Sequence, residues 1–218
     1  MAQKVRILLV DDHYVVRQGL KTVLLEHYAD GVFGEAGTAQ DALVTIWNAQ
    51  WDVVLLDISI PGRGGLEVLK EIRKSRPKLP VIVVSMHPEE QFAIRVLKLG
   101  ASSYVRKDSA GQELVKAVGA ALRGGKYITN SLAERLASNL EQDQDGPKHE
   151  SLSDREYQVM CLLASGKTVK EAGADLSLSV KTVSTYRSRI LEKLMLKNNS
   201  QLMRYAVRHA LVDVNVEL

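Results

Sequence analysis

The chain has 218 residues, which admits one large domain or two small ones at roughly 100–200 residues each. Hydrophobic residues at 45% and charged residues at 25% exclude a wholly disordered chain, and a net charge of +3 from 29 basic and 26 acidic side chains names no partner by itself. The single cysteine, Cys161, excludes an intramolecular disulfide framework, a CxxC redox pair and a thiolate zinc cage.

In chain order, Met1 to Val10 is a short apolar run stopped by Asp11-Asp12. It is too short for a signal peptide and lacks a small-residue cleavage site. No stretch approaches the roughly 18–20 apolar residues of a membrane span. A cytoplasmic protein without membrane association is therefore expected. From residue 6 to 123, short apolar runs alternate with amphipathic segments. The strong runs are Ile7–Val10, Val53–Leu56 and Val81–Val84. Apolarity on consecutive positions predicts strands buried on both faces, as in a parallel sheet covered by helices. Val32–Ala36 and Ser103–Val105 are weaker runs of the same series. Helical patterns fall near 14–27, 38–49, 65–75, 89–99 and 110–123. Five strands alternating with five helices predict a doubly wound α/β domain.

Beyond Arg123 the strand signal stops. Residues 131–140 read as a helix, with Leu132, Leu136 and Leu140 on one stripe. Glu141 to Glu150 has four acids, a Gly-Pro pair and no apolar residue, which is a linker composition. From Ser151 onward the pattern is helical only. Ser153 and Glu156 predict a capping box, Gly166 a helix end, and further helices are expected near 169–176, 180–194 and 200–210. Residues 151–212 carry 10 basic and 5 acidic side chains, so positive charge concentrates in the short-helix region.

In a doubly wound sheet, ligands bind beyond the carboxyl ends of the strands. Strand one ends in Asp11 and Asp12, strand three in Asp57 and strand four in Ser85, and Lys107 follows strand five. Taken singly, Asp11-Asp12 is a helix cap, Asp57 a turn residue, Ser85 a cap before Pro88-Glu89 and Lys107 a solvated loop charge. Together on one edge they point to a hard divalent cation among carboxylates and to phosphoryl transfer onto a carboxylate, with Asp57 the candidate.

The segments Ile7 to His13, Val53 to Gly62, Val81 to Ser85 and Tyr104 to Lys107 resemble the receiver domain of two-component response regulators, over residues 4–123. The resemblance implies a flavodoxin-like five-stranded parallel sheet in the order 2-1-3-4-5. It implies that Asp57 is the phospho-acceptor. It further implies Mg2+ bound by Asp12, Asp57 and the Ser59 carbonyl, with Asp11 acting through a water. Ser85 and Lys107 are then the phosphoryl-binding residues, and Tyr104 stands at the aromatic switch position. Arg63-Gly64-Gly65 departs from the family, where many members carry an Asp before the last Gly.

In the helical region, Val169–Leu176, the turn Ser177–Ser179 and Val180–Leu194 fit a helix-turn-helix with Ser179 as N-cap. Val183, Ile190, Leu191 and Leu194 form the inward stripe of the second helix. Lys181, Ser184, Thr185, Arg187, Ser188, Arg189 and Lys193 face elsewhere and are the candidate DNA contacts. Leu152 to Glu156, Ala164 to Lys167, Lys170-Glu171, Lys181 to Val183 and Lys193-Leu194 resemble the LuxR-type helix-turn-helix, an all-α four-helix domain. Ala172-Gly173 depart from the Ile-Ala usual there, and Gly costs roughly 1 kcal/mol in a helix interior relative to Ala. Cys161, on the first helix of this region, is expected to be a core or half-buried thiol rather than a redox sensor.

The domains expected are a receiver over 1–125, a helical and acidic linker over 126–150, a DNA-binding domain over 151–212 and a tail over 213–218. With both resemblances the chain is similar to response regulators of the NarL/FixJ family. That implies a phosphorylation-controlled transcription regulator rather than a metabolic enzyme, with a sensor histidine kinase, promoter DNA and a homodimer on activation as partners. One alternative is an aspartyl-phosphate phosphatase, although those enzymes place the nucleophile after strand one in an Asp-x-Asp arrangement. Another is a receiver whose helical module binds protein or RNA.

Overall fold

The computed structural model describes residues 4–61, 64–141, 148–209 and 211–212. Gly62-Arg63, residues 142–147 of the expected linker and the tail 213–218 lie outside the described residues. By internal contacts the chain forms two compact units, Met1–Glu134 and Arg135–Leu218.

The first unit alternates strand and helix as expected: β1 (Arg6–Val10), α1 (Tyr14–Leu25), β2 (Val32–Ala36), α2 (Ala39–Asn48), β3 (Val53–Leu56), α3 (Gly65–Ser75), β4 (Val81–Ser85), α4 (Glu89–Lys98), β5 (Ser103–Arg106) and α5 (Ala110–Leu122). A short 3-10 turn, Lys107–Ser109, precedes α5. The strands form one parallel sheet in the order β2-β1-β3-β4-β5. On one face Ile7, Leu9, Val53, Leu55, Ile82, Val84 and Val105 pack with Leu20 and Leu24 of α1 and with Leu114, Ala117, Val118 and Ala121 of α5. The alternate side chains Leu8, Val10, Val54, Leu56, Val83 and Tyr104 are equally buried. Burial of both parities is the physical origin of the unbroken apolar runs. β2 is an edge strand with Val32 exposed, so its sequence is more mixed.

The register sets the functional edge. Val10 lies level with Ala36 on one side and Leu56 on the other, and Leu56 lies level with Val83. Asp11 and Asp57 are therefore the first residues past neighbouring strands. The Asp57 N–H still donates to Val10 O at 2.8 Å, and the Asp11 N–H to Ala36 O at 3.1 Å, which extends the ladder by one step and fixes both backbones.

The helix expected at 131–140 is α6 (Asn130–Glu141). Leu132 is buried and Leu136 half-buried, while the side chain of Leu140 is outside the described residues. Thr129 Oγ1 accepts from Leu132 N–H at 3.2 Å and donates to the buried Glu89 at 2.6 Å. Ser131 Oγ donates to the same Glu89 oxygen at 2.9 Å, so the start of α6 is tied to the first residue of α4.

In the second unit a 3-10 turn (Lys148–Ser151) leads into α7 (Asp154–Ala164), α8 (Val169–Asp175), α9 (Val180–Leu194) and α10 (Asn199–Arg208). α7 is the central helix, contacted by the other three. Its capping box is formed: Ser153 N–H donates to Glu156 Oε2 at 2.8 Å, and Glu156 N–H to Ser153 Oγ. A second box, Thr168 with Glu171, starts α8. Gly166 follows α7 at φ 93°, and Cys161 is buried in the core. Gly173 has a packing reason: a Cβ there would lie 2.8 Å from the carbonyl of Leu178, where the next turn folds back on α8.

Candidate functional site

Three of the sequence-selected side chains meet at the carboxyl edge of the sheet. Lys107 Nζ, just past β5, donates to Asp57 Oδ2 at 2.8 Å. Asp11 Oδ2 is 2.5 Å from the same Nζ, so one ammonium bridges the two carboxylates. Asp57 is 3% exposed and Asp11 1%. Burial, only partly offset by Lys107, pushes the Asp57 carboxyl above its usual range. Burial would pull Lys107 down, but the two carboxylates outweigh it and hold the ammonium up.

Asp12 is less enclosed. Its Oδ1 lies 2.8 Å from His13 Nδ1, and the same nitrogen is 3.4 Å from Asp11 Oδ1. The His13 N–H donates to Asp11 Oδ1 at 2.8 Å. The ligand atoms of Asp11, Asp12 and His13 all lie within 4.8 Å of one another. Clustered carboxylate oxygens, two of the carboxylates buried, are the donor set of a hard divalent cation. The residues present therefore fit such an ion.

Ser59 N–H donates to Asp57 Oδ1 at 3.0 Å. Ser85 is fully buried, and its Oγ accepts from His87 N–H at 3.2 Å. Tyr104 lies inward, its hydroxyl donating to His87 O at 2.7 Å, and burial raises the phenol. Sequence reasoning passed over His87, which holds three of these groups, since its Nε2 is also 3.2 Å from Ser59 Oγ. Its place two residues past Ser85 was the available signal. Gly65 was noted only as a departure in its loop. A Cβ there would lie 2.1 Å from Asp57 O, so α3 begins directly against the Asp57 peptide.

On α9 the buried residues are Val183, Ile190 and Leu194, with Leu191 half-buried. Lys181, Ser184, Thr185, Ser188, Arg189 and Lys193 are exposed, and Arg187 is half-buried. Ser179 caps the helix through Thr182 N–H at 3.1 Å. Two of the candidate contacts are engaged within the module. Arg187 Nε donates to Asn199 Oδ1 of α10 at 2.6 Å. Lys193 Nζ pairs with the buried Glu156 at 2.7 Å. Lys181, Ser184, Thr185, Ser188 and Arg189 remain as one exposed polar face.

The first unit matches the response regulator receiver domain over residues 7–119, and the second matches the luxR family of bacterial regulatory proteins over residues 150–206. The chain is 36% identical over 210 residues to the response regulator UvrY of Escherichia coli K12, covering 96% of each chain. It is 37% identical over 211 residues to the response regulator GacA of Pseudomonas aeruginosa, covering 96% of this chain and 98% of that one. Among solved structures it is similar to RcsB of Salmonella enterica serovar Typhimurium bound to the promoter rprA in the presence of phosphomimetic BeF3-, with a TM-score of 0.61 and 26% identity over 93% of this chain and 98% of that one. Among the described residues no helix is long and apolar enough to cross a membrane. A receiver sheet with its acidic edge, followed by a four-helix luxR-type module and matched along nearly its whole length by such proteins, makes this chain a response regulator of the NarL/FixJ family.

Proposed function

We propose that the chain is a transcription regulator controlled by phosphorylation of Asp57. The observation that carries this is the buried contact of Asp57 with Lys107, 2.8 Å, beside Asp11 on the sheet edge. A sensor histidine kinase is the donor of phosphate. Asp12, Asp57 and the Ser59 carbonyl are the metal-holding groups, and Asp11 acts through a water. Mg2+ at these residues offsets the repulsion between a phosphoanion and the carboxylates. Lys107 pairs with the phosphoryl oxygens, and Ser85 donates a hydrogen bond to them once its hydroxyl turns from His87. Tyr104, whose hydroxyl already reaches His87 O, reports the position of that segment to the surface around α4, β5 and α5. The chain promotes its own phosphorylation and slow hydrolysis but has no metabolic substrate.

We assign the receiver to residues 1–125, the linker to 126–150, the DNA-binding domain to 151–212 and the tail to 213–218. The exposed face of α9 supports promoter DNA as the ligand, as does the promoter-bound state of its structural relative RcsB. A homodimer on activation and a cytoplasmic location complete the proposal.

The test is labelling from a small acyl-phosphate donor. The chain takes up phosphate when Mg2+ is present and loses uptake with a chelator, and Asp57→Asn takes up none. Undiminished labelling of Asp57→Asn removes Asp57 from the role. Salt-sensitive binding to a duplex that tightens on phosphorylation supports DNA over protein or RNA as the output ligand.

A further inference from the structure

The acidic edge depends on the direction of one peptide. The Asp11 N–H is held by Ala36 O at 3.1 Å. Its carbonyl is held by Arg17, whose NH1 donates to Asp11 O at 2.6 Å. Arg17 lies one turn into α1, and its own N–H bonds His13 O at 3.1 Å, so the loop and the first turn of α1 form one unit. The same guanidinium donates through Nε to Glu35 Oε2 on β2 at 2.8 Å. Gln18 braces the other Glu35 oxygen at 2.9 Å, and the Tyr14 ring lies 5.6 Å from the Arg17 guanidinium carbon. The Arg17 side chain is only 14% exposed. The carboxylate aimed by these bonds is 1% exposed, beside the buried Asp57 carboxylate, with Lys107 Nζ shared between the two. A loop free to move relieves such a group by turning it to water.

We propose that Arg17 is a positioning residue for metal binding: it clamps the Asp11 peptide to β2 so that the Asp11 carboxylate stays aimed into the cluster with Asp12 and Asp57. The proposal rests on the phosphorylation site assigned above. Arg17 touches neither the cation nor the phosphate and acts only through Asp11. A guanidinium suits this task, because its planar fork reaches two acceptors in fixed directions at once, which a lysine ammonium does not reproduce.

The experiment is a calorimetric Mg2+ titration of the unphosphorylated full-length chain, paired with phosphate uptake measured against Mg2+ concentration. Arg17→Gln is expected to raise the Mg2+ dissociation constant about tenfold, at the low end of the 10–100-fold typical for groups that orient metal ligands. Uptake at saturating Mg2+ returns near the wild-type rate. Arg17→Lys recovers part of the affinity. Glu35→Gln, which leaves the Arg17–Asp11 bond in place, gives a smaller rise in the same direction. A merely structural role lowers the melting temperature and leaves the Mg2+ half-saturation point alone. If Arg17→Gln folds and binds Mg2+ as wild type does while Asp11→Asn weakens it, the clamp is overturned and the site assignment stands. Should Arg17→Gln not fold, unshifted constants in Arg17→Lys and Glu35→Gln overturn the clamp equally. A wild-type chain that binds no Mg2+ overturns both.

Discussion

Gly65 shows how closely the backbone is drawn around Asp57. Its N–H donates to Ile58 O at 3.1 Å, and an added Cβ would meet the Asp57 carbonyl at 2.1 Å and Ile58 Cα at 2.7 Å. Both neighbours are backbone, so neither gives way by rotating. Gly65→Ala is expected to destabilise the chain by about 1–3 kcal/mol, the usual cost of overpacking. It is also expected to displace the Asp57 carboxylate. A thermal melt together with phosphate uptake checks this, and an unchanged variant in both shows that α3 shifts freely. Lys193 is a second residue with a structural partner. Its spacing on the helix places it with the DNA-facing cations, whereas its ammonium pairs with Glu156, which is 3% exposed. Lys193→Ala leaves that carboxylate buried without its cation and should cost about 1–3 kcal/mol of stability. Burial alone would raise Glu156, but the hydrogen bonds from Lys193 and Ser153 outweigh it and hold the carboxyl below its ordinary range. A lowered carboxyl contributes stability that is complete above the unfolded value near 4.3 and is lost as pH falls through the native value. Melts across this acid range should therefore show a steeper loss for wild type than for Glu156→Gln.

At the scale of elements, the strands were legible because both faces are covered and the apolar runs are uninterrupted. β2 gave a weaker signal because one of its edges is open. The capping box at Ser153–Glu156 was legible from spacing alone, and Thr168–Glu171 carries the same spacing before α8. Within the site, Asp11, Asp57, Ser85 and Lys107 were legible because each stands at a strand end. Arg17 and His87 were not. Arg17 meets Glu35 on another strand, and His87 meets Ser59 and Tyr104 across separations that a pattern of 3.6 or 2 does not span, so that Ser85 was its one local signal. The turn of the helix-turn-helix holds a further feature of backbone origin. Ser177 adopts φ 53°, while its N–H bonds Ala174 O at 3.2 Å and the Leu178 N–H bonds Gly173 O at 2.8 Å. A left-handed non-glycine residue carries roughly 1–2 kcal/mol of steric cost. Glycine removes it but adds about 0.4–1 kcal/mol of unfolded-chain entropy. Ser177→Gly should therefore stabilise the helical module by up to about 1 kcal/mol, seen as a higher denaturant midpoint with an unchanged slope. A lower midpoint means that the Ser177 side chain supports the turn.

For the whole molecule, the output depends on how many phosphates the helical module neutralises. The exposed face of α9 offers Lys181 and Arg189 as cations, with Ser184, Thr185 and Ser188 between them. Arg187 is drawn toward Asn199 at 2.6 Å and so also anchors α10 to α9. A single module is expected to bind weakly, and two copies on a two-fold site to gain through effective concentration. Lys181→Ala is expected to weaken binding to specific and scrambled duplexes alike and to reduce the salt slope by about 1 for each copy bound. Arg187→Ala should do more, because it removes a cation and the tie to α10 together, so its loss of affinity comes with a lower melting temperature. Substituting Ser184, Thr185 or Ser188 should instead change which duplex is preferred while the slope stays constant, since a hydroxyl releases no counterion. The measurement is a set of binding isotherms across salt concentration, with and without phosphate on Asp57. If Lys181→Ala leaves both affinity and slope untouched, α9 does not lie against the phosphate backbone, and the DNA-facing assignment of residues 180–194 is wrong.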